Sequence, residues 1–178
     1  MKCRRRLGLI AILLMFSGVA LAHRLDEYLQ ATRLSLALDR VFLKIDLTPG
    51  VAVAPEIFAL ITSNRDGRIS EAEGRAYASH VLNEIVIEMD GRKQHLDLVR
   101  SEFPTFEEMS AGVGTIRIEA RARWTLAPGS HWLFFRNNHR RDCGVYLVNA
   151  LVPASPEIEI TAQQRDPLQR EIRVGFRR

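Results

Sequence analysis

The feature that most constrains the fold is a strict alternation of apolar and polar residues across residues 28–48. The first run places on one face Tyr28, Gln30, Thr32, Leu34, Leu36 and Leu38. After Asp39–Arg40, a second run places on one face Val41, Leu43, Ile45 and Leu47. A period of two is that of a strand with one buried face. Two such runs around a short polar connection predict a β-hairpin, which Pro49–Gly50 would end.

Further strand patterns recur along the rest of the chain. Alternation over 116–124 gives one apolar face and one charged face, and apolar runs follow at 132–135, 145–148, 158–160 and 172–176. Segments rich in Pro, Gly and Asn separate them, at 127–130, 136–138 and 153–156. Seven or more short strands at this spacing predict a mostly β fold, an antiparallel β-sandwich, with a barrel as the alternative.

One region has a helical pattern instead. Residues 54–61 predict a short helix with Pro55 in its first turn. A longer helix is expected from Glu71 to about Ile85, with Glu71 and Arg75 as an i,i+4 ion pair. We therefore predict a single domain over 23–178 that carries a helix–loop–helix insertion at about 54–85.

The loop between these helices has the spacing of an EF-hand calcium loop. Residues 62–73 read TSNRDGRISEAE, with Gly67 sixth and Glu73 twelfth. Such loops use oxygen ligands at positions 1, 3, 5, 7, 9 and 12, the seventh being a backbone carbonyl. The predicted Ca²⁺ ligands are Thr62, Asn64, Asp66, the carbonyl of Arg68, Ser70 and Glu73.

The predicted calcium site is weak, and the same residues have a second interpretation. Thr62 stands where the pattern has Asp, so only Asp66 and Glu73 supply negative charge. We expect a dissociation constant of about 10⁻⁴–10⁻³ M or weaker, and a structural role for a single loop. Alternatively, Ser70 and Glu73 form a capping box that starts the second helix without any metal.

The N-terminal segment predicts export. A basic tip precedes the apolar run Leu7–Ala22, which ends in the small-x-small pattern Ala20–Leu21–Ala22. The run is shorter than the roughly 20 residues of a membrane-spanning helix, so we predict a signal peptide over 1–22 and a periplasmic or secreted protein. An uncleaved anchor is the alternative. No later segment is apolar enough to span a membrane.

Charge and composition exclude other classes of protein. Four of the 25 basic residues lie in the first six positions, so the remaining 21 balance the 21 acidic residues. This balance argues against a nucleic-acid partner. With 47% hydrophobic residues, the chain can bury a core and is not expected to be disordered. The sequence contains no G-x-S-x-G, HExxH, P-loop or paired-carboxylate motif, so we predict a binding module and no enzyme.

Two single residues raise further possibilities. Cleavage after Ala22 would expose the α-amine and imidazole of His23, which together can chelate Cu²⁺ or Ni²⁺, completed by His139 or His131. This alternative function is a transition-metal accessory protein that works with a membrane transporter; an exposed terminal histidine is the simpler interpretation. Cys143 is expected to be a small packed residue and not a reactive thiol.

Four short segments resemble a family of exported bacterial proteins. They are 23–32, 47–51, 69–73 and 146–153. They are similar to the extracytoplasmic N-terminal domain of HupE/UreJ-type membrane proteins and to stand-alone relatives with one EF-hand. The resemblance implies an Ig-like β-sandwich with an EF-hand insertion, and it implies no known activity. The relatives typically have Asp where Thr62 stands, which weakens the calcium assignment.

Overall fold

The computed structural model describes residues 26–64 and 66–178, which form ten strands and three helices. The strands are β1 Tyr28–Leu36, β2 Arg40–Pro49, β3 Ile85–Met89, β4 Arg92–Lys93, β5 Asp97–Glu102, β6 Ile116–Arg123, β7 Ser130–Asn137, β8 Gly144–Ala150, β9 Glu159–Arg165 and β10 Glu171–Arg177. The helices are α1 Ala54–Ile61, α2 Glu71–Asn83 and α3 Phe106–Ser110. The predicted signal segment 1–22 and His23 lie outside the described residues.

The strands form two five-stranded sheets, which confirms the predicted β-sandwich. One sheet has the order β5-β6-β2-β1-β8 and the other the order β4-β3-β7-β10-β9. Neighbouring strands are antiparallel except for β1 and β8, which are parallel, with Tyr28 opposite Gly144. A parallel neighbour needs a long crossover, and here the whole chain between β1 and β8 supplies it.

The predicted hairpin of β1 and β2 is confirmed. Leu34 lies opposite Leu43, and the N–H of Ala37 donates to the carbonyl of Arg40 at 2.8 Å to close the turn. The alternation has the expected cause, because Leu34, Leu43 and the other inward side chains of these strands are buried while intervening residues face outward. A slip by one residue would expose this whole face, so the register is strongly specified.

The described residues form one hydrophobic core, which combines inward side chains of both sheets with the buried faces of the helices. On β6 the inward residues are small or β-branched and fully buried, namely Ile116, Ile118, Ala120 and Ala122. β7 lies between β3 and β10 and contributes buried Leu133 and Phe135, as its apolar sequence predicts for a central strand.

The helical insertion follows β2 and leads into β3. Helix α1 has Pro55 in its first turn and buries Ile57 and Phe58. Helix α2 buries Tyr77 and Val81 on its inner face, and the predicted ion pair of Glu71 with Arg75 is present at 3.8 Å. Helix α2 ends at Asn83, two residues earlier than expected, because the apolar run that begins at Ile85 forms β3. Within the described ranges, no helix is long and apolar enough to cross a bilayer.

Candidate functional site

The loop between α1 and α2 makes two side-chain turns next to a glycine with positive φ. Gly67 has φ +79°, a conformation that glycine adopts without strain, at the sixth position. The Oδ1 atom of Asn64 accepts from the N–H of Asp66 at 3.1 Å, and Oδ1 of Asp66 accepts from the N–H of Arg68 at 2.8 Å. These two consecutive side-chain turns fold the segment back on itself, which allows α2 to start beside the end of α1.

The carboxylate of Glu73 ties the two ends of this loop together. The backbone N–H and the hydroxyl of Ser63 donate to Oε1 at 2.7 and 3.0 Å. The N–H and hydroxyl of Ser70 donate to Oε2 at 3.0 and 2.7 Å, and the Glu73 N–H donates to Ser70 Oγ, which completes a capping box. The hydrogen bonds from Ser70, reinforced by those from Ser63, lower the pKa of Glu73 to about 2.

The predicted calcium ligands already make hydrogen bonds within the protein, and these bonds differ from one ligand to the next. Ser70 is bonded to Glu73, and Asn64 is bonded to Asp66 through Nδ2 and Oδ2 at 3.0 Å. Thr62 is buried and its hydroxyl donates to the carbonyl of Phe58 at 3.1 Å, one turn back in α1. The donor set is all oxygen, as Ca²⁺ prefers. A bound cation would have to compete with the serine donors for Glu73.

The low pKa of Glu73 predicts a specific loss of stability in acid. Because this pKa lies below its usual value near 4.5, ionised Glu73 stabilises the folded protein above about pH 4.5 and loses this effect as the pH falls toward 2. We expect urea midpoints measured between these limits to fall more steeply for the native protein than for Glu73→Gln, which cannot titrate. The lowered pKa values of Asp39, Asp90 and Asp142 affect both proteins alike. Parallel midpoint curves would contradict this assignment.

A second polar group centres on His139, in the connection between β7 and β8. The side chain is buried, with 1% exposed, and both ring nitrogens make hydrogen bonds. Nε2 lies 3.0 Å from the hydroxyl of Tyr77, which is 2.9 Å from the hydroxyl of Tyr28, and Nδ1 lies 2.5 Å from Oε2 of Glu84. Since a carboxylate only accepts, Nδ1 carries the proton, and in the neutral ring Nε2 accepts from the hydroxyl of Tyr77. Burial lowers the pKa of His139, against the opposing effect of Glu84.

The backbone of His139 is held by side chains from both sheets. Its carbonyl accepts from Nε2 of Gln30 at 2.9 Å and from the hydroxyl of Tyr146 at 2.7 Å. Its N–H donates to Oδ1 of Asn137 at 2.9 Å, while Nδ2 of Asn137 donates to Oε1 of Gln30 at 2.9 Å. This network explains why the polar residues Gln30 and Asn137 face the interior at positions that alternation alone assigns to the core.

Helix α2 presents two more metal-binding side chains to His139. His80 and Glu84 are one turn apart, and Nε2 of His80 lies 3.7 Å from Oε1 of Glu84. The ring centroids of His80 and His139 are 5.9 Å apart. One ligand atom from each of the three residues lies within 4.8 Å of the other two. His80 and Glu84 are partly exposed, so the cluster opens to solvent on one side while His139 closes the other.

A cavity of about 580 Å³ lies between α1 and α2 and connects the loop with His139. Its apolar lining comes from both helices, and its polar lining includes Glu73, His80 and His139. Arg140 also faces it, but its guanidinium is paired with Glu56 at 2.7 Å and Asp142 at 2.6 Å. The positive charge of Arg140 is therefore balanced within the protein.

The other predicted candidates lie apart from these two groups. His131 is bonded to Asp90 at 2.7 Å, at the β7 end opposite to His139. Cys143 packs against the core, and burial raises its pKa, as expected of a packed thiol. His80 and Glu84 were not predicted as a pair from the sequence. Their i,i+4 spacing on a predicted helix was the available signal.

Comparisons with protein families, with characterised proteins and with solved structures found no match to this chain. The resemblance to HupE/UreJ-type domains therefore stays a prediction.

Proposed function

We propose that this chain is an exported calcium-binding interaction module, with Ca²⁺ in the loop 62–73. The observation that carries the proposal is the agreement of sequence and conformation in the loop: Gly67 has positive φ at the sixth position, and Asn64 and Asp66 make their side-chain turns at the third and fifth. Helices flank the loop on both sides. The partner we propose is a membrane transporter or another periplasmic protein, and the role is binding, not catalysis.

The expected role of the ion is structural. Helices α1 and α2 both bury apolar side chains in the core, so an ion between them would fix their relative position. A single loop lacks the paired partner with which EF-hands form a switching lobe. Calcium would therefore stabilise the cavity walls between these helices.

The hydrogen bonds of Glu73 set the strength of the site. Ca²⁺ binds through both oxygens of the twelfth residue, and here each oxygen already accepts two hydrogen bonds. The ion must replace these bonds, and Thr62 adds no charge. Both facts support an affinity in the weak, extracellular range of about 10⁻⁴–10⁻³ M.

Calcium is expected to raise the melting temperature of the native protein. At a free concentration about ten times the dissociation constant, binding to the folded state stabilises by about 1.4 kcal/mol, or roughly 3–6 °C for a domain of this size. The measurement compares melting curves in Ca²⁺, in Mg²⁺ and in a chelator. Identical curves together with no calorimetric heat of binding would overturn the proposal.

Variants test the ligand assignment in the same assay. Thr62→Asp should enlarge the calcium-dependent shift by adding a carboxylate at the first position, and Glu73→Gln should reduce it. Glu71→Gln is the matched control, since Glu71 is exposed in the same helical turn but is not a predicted ligand. The reverse order of the first two variants would reject this register.

A further inference from the structure

The geometry points to a second cation site, for a divalent transition-metal ion such as Zn²⁺, formed by His80, Glu84 and His139. It shares no ligand with the loop 62–73, so it stands independently of the proposed calcium function. It also differs from the predicted terminal site, because His23 is not one of its ligands and lies outside the described residues, although His139 is one of the two histidines predicted to complete that terminal site.

The donor set selects the class of metal. Two imidazole nitrogens and one carboxylate suit Zn²⁺, Cu²⁺ and Ni²⁺, whereas Ca²⁺ and Mg²⁺ prefer oxygen alone. Three protein ligands leave a fourth position of a tetrahedral ion for water or an external ligand. The exposed side of the cluster, at His80 and Glu84, gives the ion a route of entry.

The distances require only small movements on metal binding. Bonds of about 2.0–2.2 Å in a tetrahedral site place ligand atoms about 3.3–3.6 Å apart. Nδ1 of His139 and Oε2 of Glu84 are at 2.5 Å, joined by a proton that the ion would replace. His80 must approach from within 4.8 Å, and its side chain is 61% exposed and can change rotamer at little cost.

The buried ligand is the one that is already held in place. The side chain of His139 is held through Nε2 by the hydroxyl of Tyr77. The backbone of His139 is hydrogen-bonded to the side chains of Asn137, Gln30 and Tyr146. Outer partners of this kind orient a metal-binding histidine and set its tautomer. With the ion on Nδ1, Nε2 would carry the proton and donate it to the oxygen of Tyr77. One ligand is therefore fixed in advance, and the other two lie one helical turn apart on α2.

The alternative is that Glu84 and His139 form only a structural hydrogen bond, with His80 beside it by coincidence. The two alternatives differ in their prediction for His80, because its removal leaves the bond between Glu84 and His139 intact. His80 is exposed, so its replacement should not impair folding. His80→Ala is therefore the variant that best distinguishes the metal site from a purely structural hydrogen bond.

The test is a Zn²⁺ titration of the tag-free chain by calorimetry, with Co²⁺ as a spectroscopic substitute. We expect one ion per chain and visible Co²⁺ bands of a four-coordinate site. His80→Ala and Glu84→Gln should each weaken Zn²⁺ at least about tenfold, since even outer partners of metal ligands contribute 10–100-fold. Circular dichroism checks that each variant is folded. His95→Ala is the matched control, because His95 is a more exposed histidine paired with Asp97.

The outcomes separate this site from the others. Unchanged Zn²⁺ affinity in either His80→Ala or Glu84→Gln would overturn the inference, as would a loss that appears only in His23→Ala. Glu73→Gln should leave Zn²⁺ affinity unchanged, so failure of the calcium proposal and failure of the transition-metal site are told apart. A loss of affinity in His95→Ala equal to that in His80→Ala would also contradict a defined site.

Discussion

Replacing Asn137 by alanine should lower the free energy of unfolding by about 2–6 kcal/mol, because two buried polar groups lose their partners. Oδ1 of Asn137 accepts from the N–H of His139, and its Nδ2 donates to Oε1 of Gln30. Each buried group left without a partner costs about 1–3 kcal/mol. The effect should therefore exceed that of an ordinary surface substitution several-fold.

Urea unfolding measures this effect, with Asn138→Ala as the matched control. Asn138 is the next residue and is only partly buried, and its backbone N–H, which the substitution keeps, donates to the carbonyl of Glu84. Asn138→Ala should change stability by less than about 1 kcal/mol. In a sample of Asn137→Ala that remains folded, Zn²⁺ should bind more weakly, since His139 has lost one of its anchors. Equal stabilities for the two variants would mean that the network does not hold the structure together.

The strands that the sequence predicts are those with two chemically different faces. In β1, β2 and β6 every second residue enters the core, so the period of two is visible without any tertiary information. β3 was missed because its apolar run follows helix α2 with no intervening turn signal. β5 was missed because neither of its faces is fully buried, and so its residues do not alternate.

The loop 62–73 can be recognised from the sequence, whereas the second site cannot, because its ligands are far apart in the chain. The loop 62–73 is local, because all six predicted ligands lie within twelve residues and their spacing alone defines the turns. The second site depends on a long-range contact, since His139 is 55 residues from Glu84. Sequence shows only His80 and Glu84 on one helix face. It does not show that the β7–β8 connection reaches that face.

The buried polar network can be recognised in the sequence from polar residues at positions where the alternation of β1 predicts core residues. Gln30 and Thr32 follow the inward period of β1 and are buried, yet both are polar. A polar residue at a core position requires a hydrogen-bond partner. For Gln30 that partner comes from the other sheet, through Asn137. Such positions therefore indicate cross-sheet contacts, although the sequence does not name the partner.

A loss of stability as large as that of Asn137→Ala is expected from Phe135→Ala. Phe135 is 1% exposed on the central strand β7, where it lies opposite Ile87 of β3 and Ile172 of β10. Truncating a buried phenylalanine to alanine removes apolar contacts and leaves a cavity, at a cost of about 3–5 kcal/mol. Most domains have only about 5–15 kcal/mol of total stability, so a substantial fraction would be lost. The melting temperature should fall by roughly 6–20 °C.

Phe42→Ala is the matched control for Phe135→Ala, since both phenylalanines lie in strands but Phe42 is 39% exposed on the outer face of β2. Its ring contacts the guanidinium of Arg40 across 5.7 Å, a surface interaction worth about 0.5–1 kcal/mol. We expect its removal to cost about 1 kcal/mol, measured by urea unfolding beside Phe135→Ala. Similar losses for the two variants would contradict a core shared by both sheets. A loss several times larger for Phe135→Ala would show that packing in the shared interior, which also holds His139, supplies most of the stability of the sandwich.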